Sequence, residues 1–313
     1  MTGLEIARAY FEEHGRPMLE RDFPALLPFL AVGLTGSGSE CYGYDDEISR
    51  DHDFEPGFCI FLPGEETVDR RSAFLLERAY AKLPKEFRGL RREPLLPVGG
   101  ARRGVLRTGE FFLEKVGAAD GALDARQWLL IPEEALAEAV NGDIFLDNFG
   151  EVSRIRASLS YYPEDVRRKR LAGQLLLAGQ AGQYNYPRCL RRGDTAAAQL
   201  AAFEFVRSVL SAIFLLNRRY RPYYKWSFRA LGELPRLGEL ASPLETLIST
   251  GNGDRAAEEK TARMEEIADK LCALLAEQGL SGAPERELEA QAYAVNDGIG
   301  DGELRNLHIL AGV

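Results

Sequence analysis

Cysteine is scarce in this chain: four residues, at positions 41, 59, 189 and 272, with no Cys-x-x-Cys pair among them. That pattern argues against a disulfide framework and against a thiolate metal site, and it fits a reducing cytoplasm. Histidine is scarcer still, with His14, His52 and His308 far apart, and neither His14 nor His308 has a partner pattern. No Gly-x-Ser-x-Gly elbow occurs, so Ser-His-Asp hydrolysis finds no footing. No apolar run approaches the roughly 18 residues that span a bilayer. The opening stretch MTGLEIARAYFEEHG reads as an acidic amphipathic helix and not as a signal peptide. Internal repeats, low-complexity tracts and a basic tail are also missing. The expectation is a cytoplasmic protein without a membrane partner.

What the chain does have is concentrated in residues 31–61. An apolar stretch, Ala31 to Leu34, runs into the small-residue turn Gly36-Ser37-Gly38-Ser39. A polar loop leads to Asp51-His52-Asp53, and a second strand-like stretch follows at Phe58 to Leu62. Aspartates at i and i+2 of a strand share a face, whereas His52 falls on the other and reads as structural. A Gly-Ser turn offers backbone N–H groups and hydroxyls without bulk, and Mg²⁺ takes one or two carboxylates together with substrate phosphates. Rival phosphate motifs fail on the same residues. A P-loop needs Lys-Ser/Thr where Ser39-Glu40 stands, and a dinucleotide fingerprint needs glycine where Cys41 stands. The kinase catalytic-loop and metal triplets are absent. The plain alternative is a Gly/Ser hairpin whose aspartates are solvated or cap a turn.

Gly38-Ser39, eleven intervening residues and then Asp51-His52-Asp53 resemble the signature of the DNA polymerase beta-like nucleotidyltransferase superfamily. With Gly36-Ser37 as the pair, the gap is thirteen. Ser49, two residues before Asp51, also suits the resemblance. The likeness is close over about thirty residues and loose over the first 130. It implies that Asp51 and Asp53 hold one or two Mg²⁺, and that Gly36, Ser37, Gly38 and Ser39 cradle the triphosphate of ATP or another nucleoside triphosphate. It also implies a third metal-binding carboxylate from a neighbouring strand. The strand-like piece Val105–Thr108 has no acid, so Glu110 is the nearest candidate and Glu114 the next. The acidic loop Asp45-Asp46-Glu47 either tunes the metal or is simply solvated.

The first half alternates helical patterns (3–13, 17–29, 69–83, 133–140) with strand-like ones (31–36, 53–62, 105–108). From about residue 164, long helical patterns take over at 164–177, 195–220, 224–231 and 254–277. Ala201–Leu216 is apolar almost all round, as a central bundle helix would be. The expected class is therefore α+β: a small mixed-sheet head over 1–150 and a helical bundle over 151–313, with 141–160 as the boundary. A bundle behind such a head resembles antibiotic-modifying nucleotidyltransferases, in which it helps bind the acceptor. From Glu151 to Arg236 there are sixteen Lys and Arg against six Asp and Glu, while the whole chain carries a net charge of −9. This basic middle either focuses a polyphosphate or is just a basic helical surface. It is too short a surplus to argue for nucleic acid.

In the second half, Arg218, Arg219 and Arg221 cluster at a helix break made by Pro222, beside Tyr220, Tyr223, Tyr224, Lys225 and Trp226. Lys225 either reaches a triphosphate oxygen or belongs to an aromatic-rich helix end with snorkelling arginines. This segment, taken with the head, resembles an uncharacterised bacterial family of nucleotidyltransferase-like proteins. Asp194, after Arg191-Arg192-Gly193, fits a helix N-cap and also a general base for an acceptor hydroxyl. Glu204, an acid in an apolar helix, is a second base candidate or the partner of a nearby arginine. The expected activity is Mg²⁺-dependent transfer of a nucleotidyl group, AMP from ATP, to a hydroxyl or phosphate of a small molecule. The alternatives are a nucleotide-binding regulator without turnover, a transferase acting on a protein partner in the toxin–antitoxin manner, and a structural head that has lost its chemistry.

Overall fold

The computed structural model describes residues 1–48, 55–92 and 103–313, the side chain of Asp254 apart. Asp51, His52, Asp53 and Ser49 lie outside the described residues. The fold is α+β, a small mixed sheet with many helices. It divides into two compact units, one of residues 1–123 and 135–160 and the other of residues 124–134 and 161–313.

The first unit opens with α1 (Gly3–Tyr10), which starts at Thr2 through a reciprocal capping box with Glu5. A π turn, Phe11–Gly15, carries it into α2 (Arg16–Asp22). The helix expected over 17–29 stops at Asp22, because Pro24 disfavours helical backbone at Phe23, whose φ is −135°. Only a 3₁₀ turn, Leu27–Phe29, remains of the rest. Strands β1 (Ala31–Leu34) and β2 (Cys59–Leu62) follow, then α3 (Arg70–Ala81), capped by Asp69. The hairpin β3 (Glu86–Phe87) and β4 (Leu90–Arg91) precedes β5 (Gly104–Arg107) and α4 (Thr108–Val116). Helix α5 (Ala125–Leu130) groups with the second unit, and α6 (Glu133–Val140) has its first two residues there and the rest in the first. The interval 141–160 holds β6 (Asp143–Asp147) and α7 (Glu151–Ser158).

The sheet order is β5-β2-β1-β6, with β1 antiparallel to both neighbours and β2 parallel to β5. Every residue of β1 and β2 is buried. Val32, Ile60 and Leu62 join Ile6, Phe11, Leu19 and Leu76 in the core, while Phe61 meets Phe111 of α4 from the other face. Burial on both faces explains why these strands read as continuous apolar runs.

The second unit is helical. Helix α8 (Glu164–Ala178) continues through a π turn, Gly179–Asn185, into α9 (Tyr186–Arg191). Then come α10 (Thr195–Leu216), α11 (Tyr224–Gly232), α12 (Ala241–Ser249), α13 (Asp254–Glu277), α14 (Leu288–Asp297) and α15 (Gly302–Asn306). Helix α10 is the central one, packing on α8, α9 and α12. By length and composition α10 is apolar enough to cross a membrane, but 67% of its apolar window is buried within the structure. Two buried lysines act as fasteners. Lys169 donates to Asn296 Oδ1 at 2.9 Å and to the Leu307 carbonyl at 2.7 Å. Lys260 donates to Gln199 Oε1 at 2.8 Å and to the Thr250 carbonyl at 2.7 Å. Burial pushes both amines below the usual lysine range.

Candidate functional site

The Gly-Ser turn lies at the end of β1, the only strand of the sheet paired antiparallel on both sides among the described residues. Gly36 leaves the strand with φ +130°, a conformation that L side chains rarely adopt. Ser37 is exposed, Gly38 buried and Ser39 half-buried. A 3₁₀ turn, Ser39–Tyr42, follows and is closed by Gly43 at φ +71°. Among the described residues, the N–H groups of Ser37, Gly38, Ser39 and Glu40 meet no acceptor. Such groups at the start of a helical turn, grouped at one place, are suited to an anion.

Asn141, just past α6, holds the turn in place. Its Oδ1 accepts the Gly36 N–H at 2.9 Å and its Nδ2 donates to the Gly36 carbonyl at 2.7 Å. Thr35 adds to the clamp, its hydroxyl donating to the Glu138 carbonyl at 2.8 Å and lying 3.0 Å from Asn141 Oδ1. Gly142 donates its N–H to the Cys41 carbonyl at 2.8 Å with φ +64°, and a Cβ there would run into the Leu34 carbonyl. The Asn-Gly pair 141–142 is thus a fixed turn tied to both ends of the Gly-Ser segment. By sequence the pair falls at the expected boundary 141–160, and Asn-Gly is itself a turn signal.

A buried ion pair lies beside the turn. The Glu40 carboxylate folds back against Gly38 and receives Arg103 Nη2 at 3.1 Å. Arg103 Nη1 also donates to the Glu55 carbonyl at 2.6 Å and pairs with the Glu55 carboxylate at 3.4 Å. Both Arg103 and Glu40 are buried. The guanidinium therefore neutralises the acid next to the turn and ties it to the chain two residues after Asp53. Tyr80 fixes the entry to β2, accepting the Phe58 N–H and donating to the Phe58 carbonyl. Sequence reading missed Arg103 and Glu40, because nothing in either local pattern marks a charge for burial. Cys59, in β2, is buried, and that burial pushes its thiol up to about 12.

The third carboxylate expected from a neighbouring strand is missing from β5, which pairs with β2 and carries Gly104, Val105, Leu106 and Arg107. Glu110 is exposed in the first turn of α4. Among the described residues no group of three His, Cys, Asp or Glu could hold a metal ion. The acidic loop has structural duties. Asp45 accepts the Gly3 N–H at the start of α1, and Asp46 accepts that of Ile48. His14 packs edge-on against Tyr10 and Phe87.

In the second unit, Asp194 caps α10, accepting the Ala197 N–H at 2.9 Å. Glu204 is half-buried and pairs with Arg207 at 2.6 Å. Lys225 is exposed at the start of α11, its amine 5.1 Å from the Trp226 ring centre. Tyr223 and Tyr224 are exposed, with their rings in tilted contact, whereas Tyr220 packs against Tyr161 and Tyr162.

Comparison with known proteins adds one result. Residues 128–227, just under a third of the 313, match the model of a family described as a domain of unknown function, DUF4037. The match begins at Trp128 in α5 and ends at Ser227 in α11, so it excludes the Gly-Ser turn. No curated protein and no solved structure matches the chain.

Proposed function

We propose that this chain is a Mg²⁺-dependent nucleotidyltransferase that moves a nucleotidyl group, AMP from ATP, to a hydroxyl or phosphate of a small molecule. The observation that carries the reading is the Gly36–Glu40 segment, in which the N–H groups of residues 37–40 meet no acceptor among the described residues. Such a turn would bind the triphosphate, and the Asn141 clamp would keep it in one geometry before the ligand arrives. Arg103 would prevent Glu40 from repelling that ligand. Asp51 and Asp53, by their sequence pattern, would hold Mg²⁺, which when bound supplies neutralisation of phosphate charge and activation of the acceptor oxygen. Positioning and charge stabilisation would then supply most of the rate, as in other phosphoryl transfers.

A second reading, nucleotide binding without turnover, is favoured by the composition of β5. That strand offers no third carboxylate beside β2, and an arginine, Arg103, immediately precedes it. Calorimetry with ATP, with and without Mg²⁺, tests both readings on the wild type and on the Asp51→Ala/Asp53→Ala double variant. Mg²⁺-dependent binding that the double variant loses supports a metal–nucleotide site. Pyrophosphate release in the presence of an acceptor then separates transferase from binding module. A wild type that binds no triphosphate sinks both.

A further inference from the structure

Within the second unit, a polar cluster is walled by aromatic rings. Glu133, at the start of α6, is buried, and its Oε2 lies 3.7 Å from Arg221 Nε. Trp128 packs edge-on against Tyr162, and Tyr162 in turn packs against Tyr161 and Tyr220. Arg170 lies over the Tyr162 ring at 5.0 Å while donating to the Leu129 carbonyl. Three polar atoms of this cluster are buried without a hydrogen-bond partner among the described residues: Glu133 Oε1, Tyr162 Oη and Arg221 Nε. An orphaned buried polar atom costs about 1–3 kcal/mol, so three in one cluster mark a place where another molecule completes the bonding. All the residues of the cluster fall inside segment 128–227, the stretch shared with the family of unknown function.

The three orphans limit what that molecule presents. Arg221 Nε only donates, an ionised Glu133 oxygen only accepts, and Tyr162 does either. A ligand ammonium would face Arg221 and Arg170, and a ligand carboxylate or phosphate would face Glu133. One hydroxyl group has the bonding capacity to complement all three, donating to Glu133 Oε1 and accepting from Arg221 Nε and Tyr162. Burial raises the Glu133 carboxyl above its usual range, against the lowering influence of Arg170 and Arg221. A hydroxyl serves the protonated carboxyl equally well, because it can then accept from it. Rings of Tyr161, Tyr162 and Tyr220 around the polar centre suit the C–H faces of a compact polyol. The cluster reaches solvent through Arg221, whose side chain is 22% exposed.

We infer that the Glu133–Tyr162–Arg221 cluster binds a hydroxyl group of a small, uncharged polyhydroxylated molecule. The binding stands on this geometry alone. The further statement that this hydroxyl is the acceptor for nucleotidyl transfer rests on the function proposed above.

Saturation-transfer NMR on the full chain, with myo-inositol, methyl glucoside and glycerol as probes, tests the inference. The expected result is saturable transfer to at least one probe in the wild type. Affinity should fall about tenfold in Tyr162→Phe, which loses one hydrogen bond to the ligand and nothing within the protein. Its melting temperature should stay level or rise, because an unsatisfied buried hydroxyl is removed. A purely structural tyrosine would not move the affinity. Glu133→Gln gives the same test should Tyr162→Phe not fold. No transfer from any probe, or equal affinity in the variants, overturns the inference and leaves the orphans to ordered water. Titration of ATP with Mg²⁺ on the same samples keeps the two proposals apart. Polyol binding without nucleotide binding sinks the transferase reading alone, and the reverse sinks this one alone.

Discussion

Replacing Arg103 by methionine should destabilise the first unit more than any single change to its partners. The methionine keeps much of the apolar stem but removes the guanidinium, and with it the 2.6 Å bond to the Glu55 carbonyl and the pairs to Glu40 and Glu55. The Glu40 side chain, only 9% exposed, would then be an uncompensated charge. Breaking a buried pair in this way costs about 3–5 kcal/mol. For a unit of this size, each kcal/mol lowers the melting temperature by about 2–4 °C, so a fall of roughly 6–20 °C is expected. Glu40→Gln is milder, at about 1 kcal/mol, because the amide oxygen still accepts from Arg103 and Glu55 still pairs with it. Arg103→Met combined with Glu40→Leu should recover most of the loss, since the stranded charge is gone. Urea unfolding followed by circular dichroism measures all three variants and the coupling between the sites. Equal stabilities for Arg103→Met and the double variant, or a single-variant loss under about 1 kcal/mol, would refute the idea that Arg103 neutralises a buried acid.

Asn141→Ala breaks both bonds to Gly36 and should cost about 1–3 kcal/mol, with weaker binding of ATP in calorimetry if the turn is the triphosphate cradle. Gly142→Ala, at φ +64° against the Leu34 carbonyl, should prevent accumulation of folded protein or lower its melting temperature sharply. Asp194→Asn keeps a cap and Asp194→Ala removes one, so the alanine variant should be about 1 kcal/mol less stable while the asparagine variant melts like wild type. Loss of transfer activity in the well-folded asparagine variant would instead make Asp194 a base. Glu133 carries a carboxyl raised above 4.5, so the folded state holds its proton more tightly than the unfolded state. That contribution is complete below pH 4.5 and is lost as pH rises through the raised value. The melting-temperature gap between Glu133→Gln and wild type should therefore shift in favour of glutamine as pH increases, and a pH-independent gap would count against a buried, raised carboxyl.

Some of this protein follows from local sequence. Apolar runs such as Ala31–Leu34 and Cys59–Leu62 predict strands because those residues are buried on both faces. The long apolar pattern after Asp194 predicts α10, and the Gly-Ser turn after β1 is where its glycines require it. Local proline chemistry at Pro24 ends α2 at Asp22. Other features depend on residues far apart in the chain. Asn141 reaches Gly36 across 105 positions and Arg103 reaches Glu40 across 63. Strand β6 exists because β1 offers it an edge, and the short run Asp143–Asp147 carries too little pattern to announce it. Glu133, at the start of α6, Tyr162, just before α8, and Arg221, between α10 and α11, become a cluster only in the folded unit, since no spacing rule links positions 133, 162 and 221. Periodicity reports which face of an element is buried. Which charges are buried together, and which of their atoms are left without partners, is decided by tertiary contacts alone.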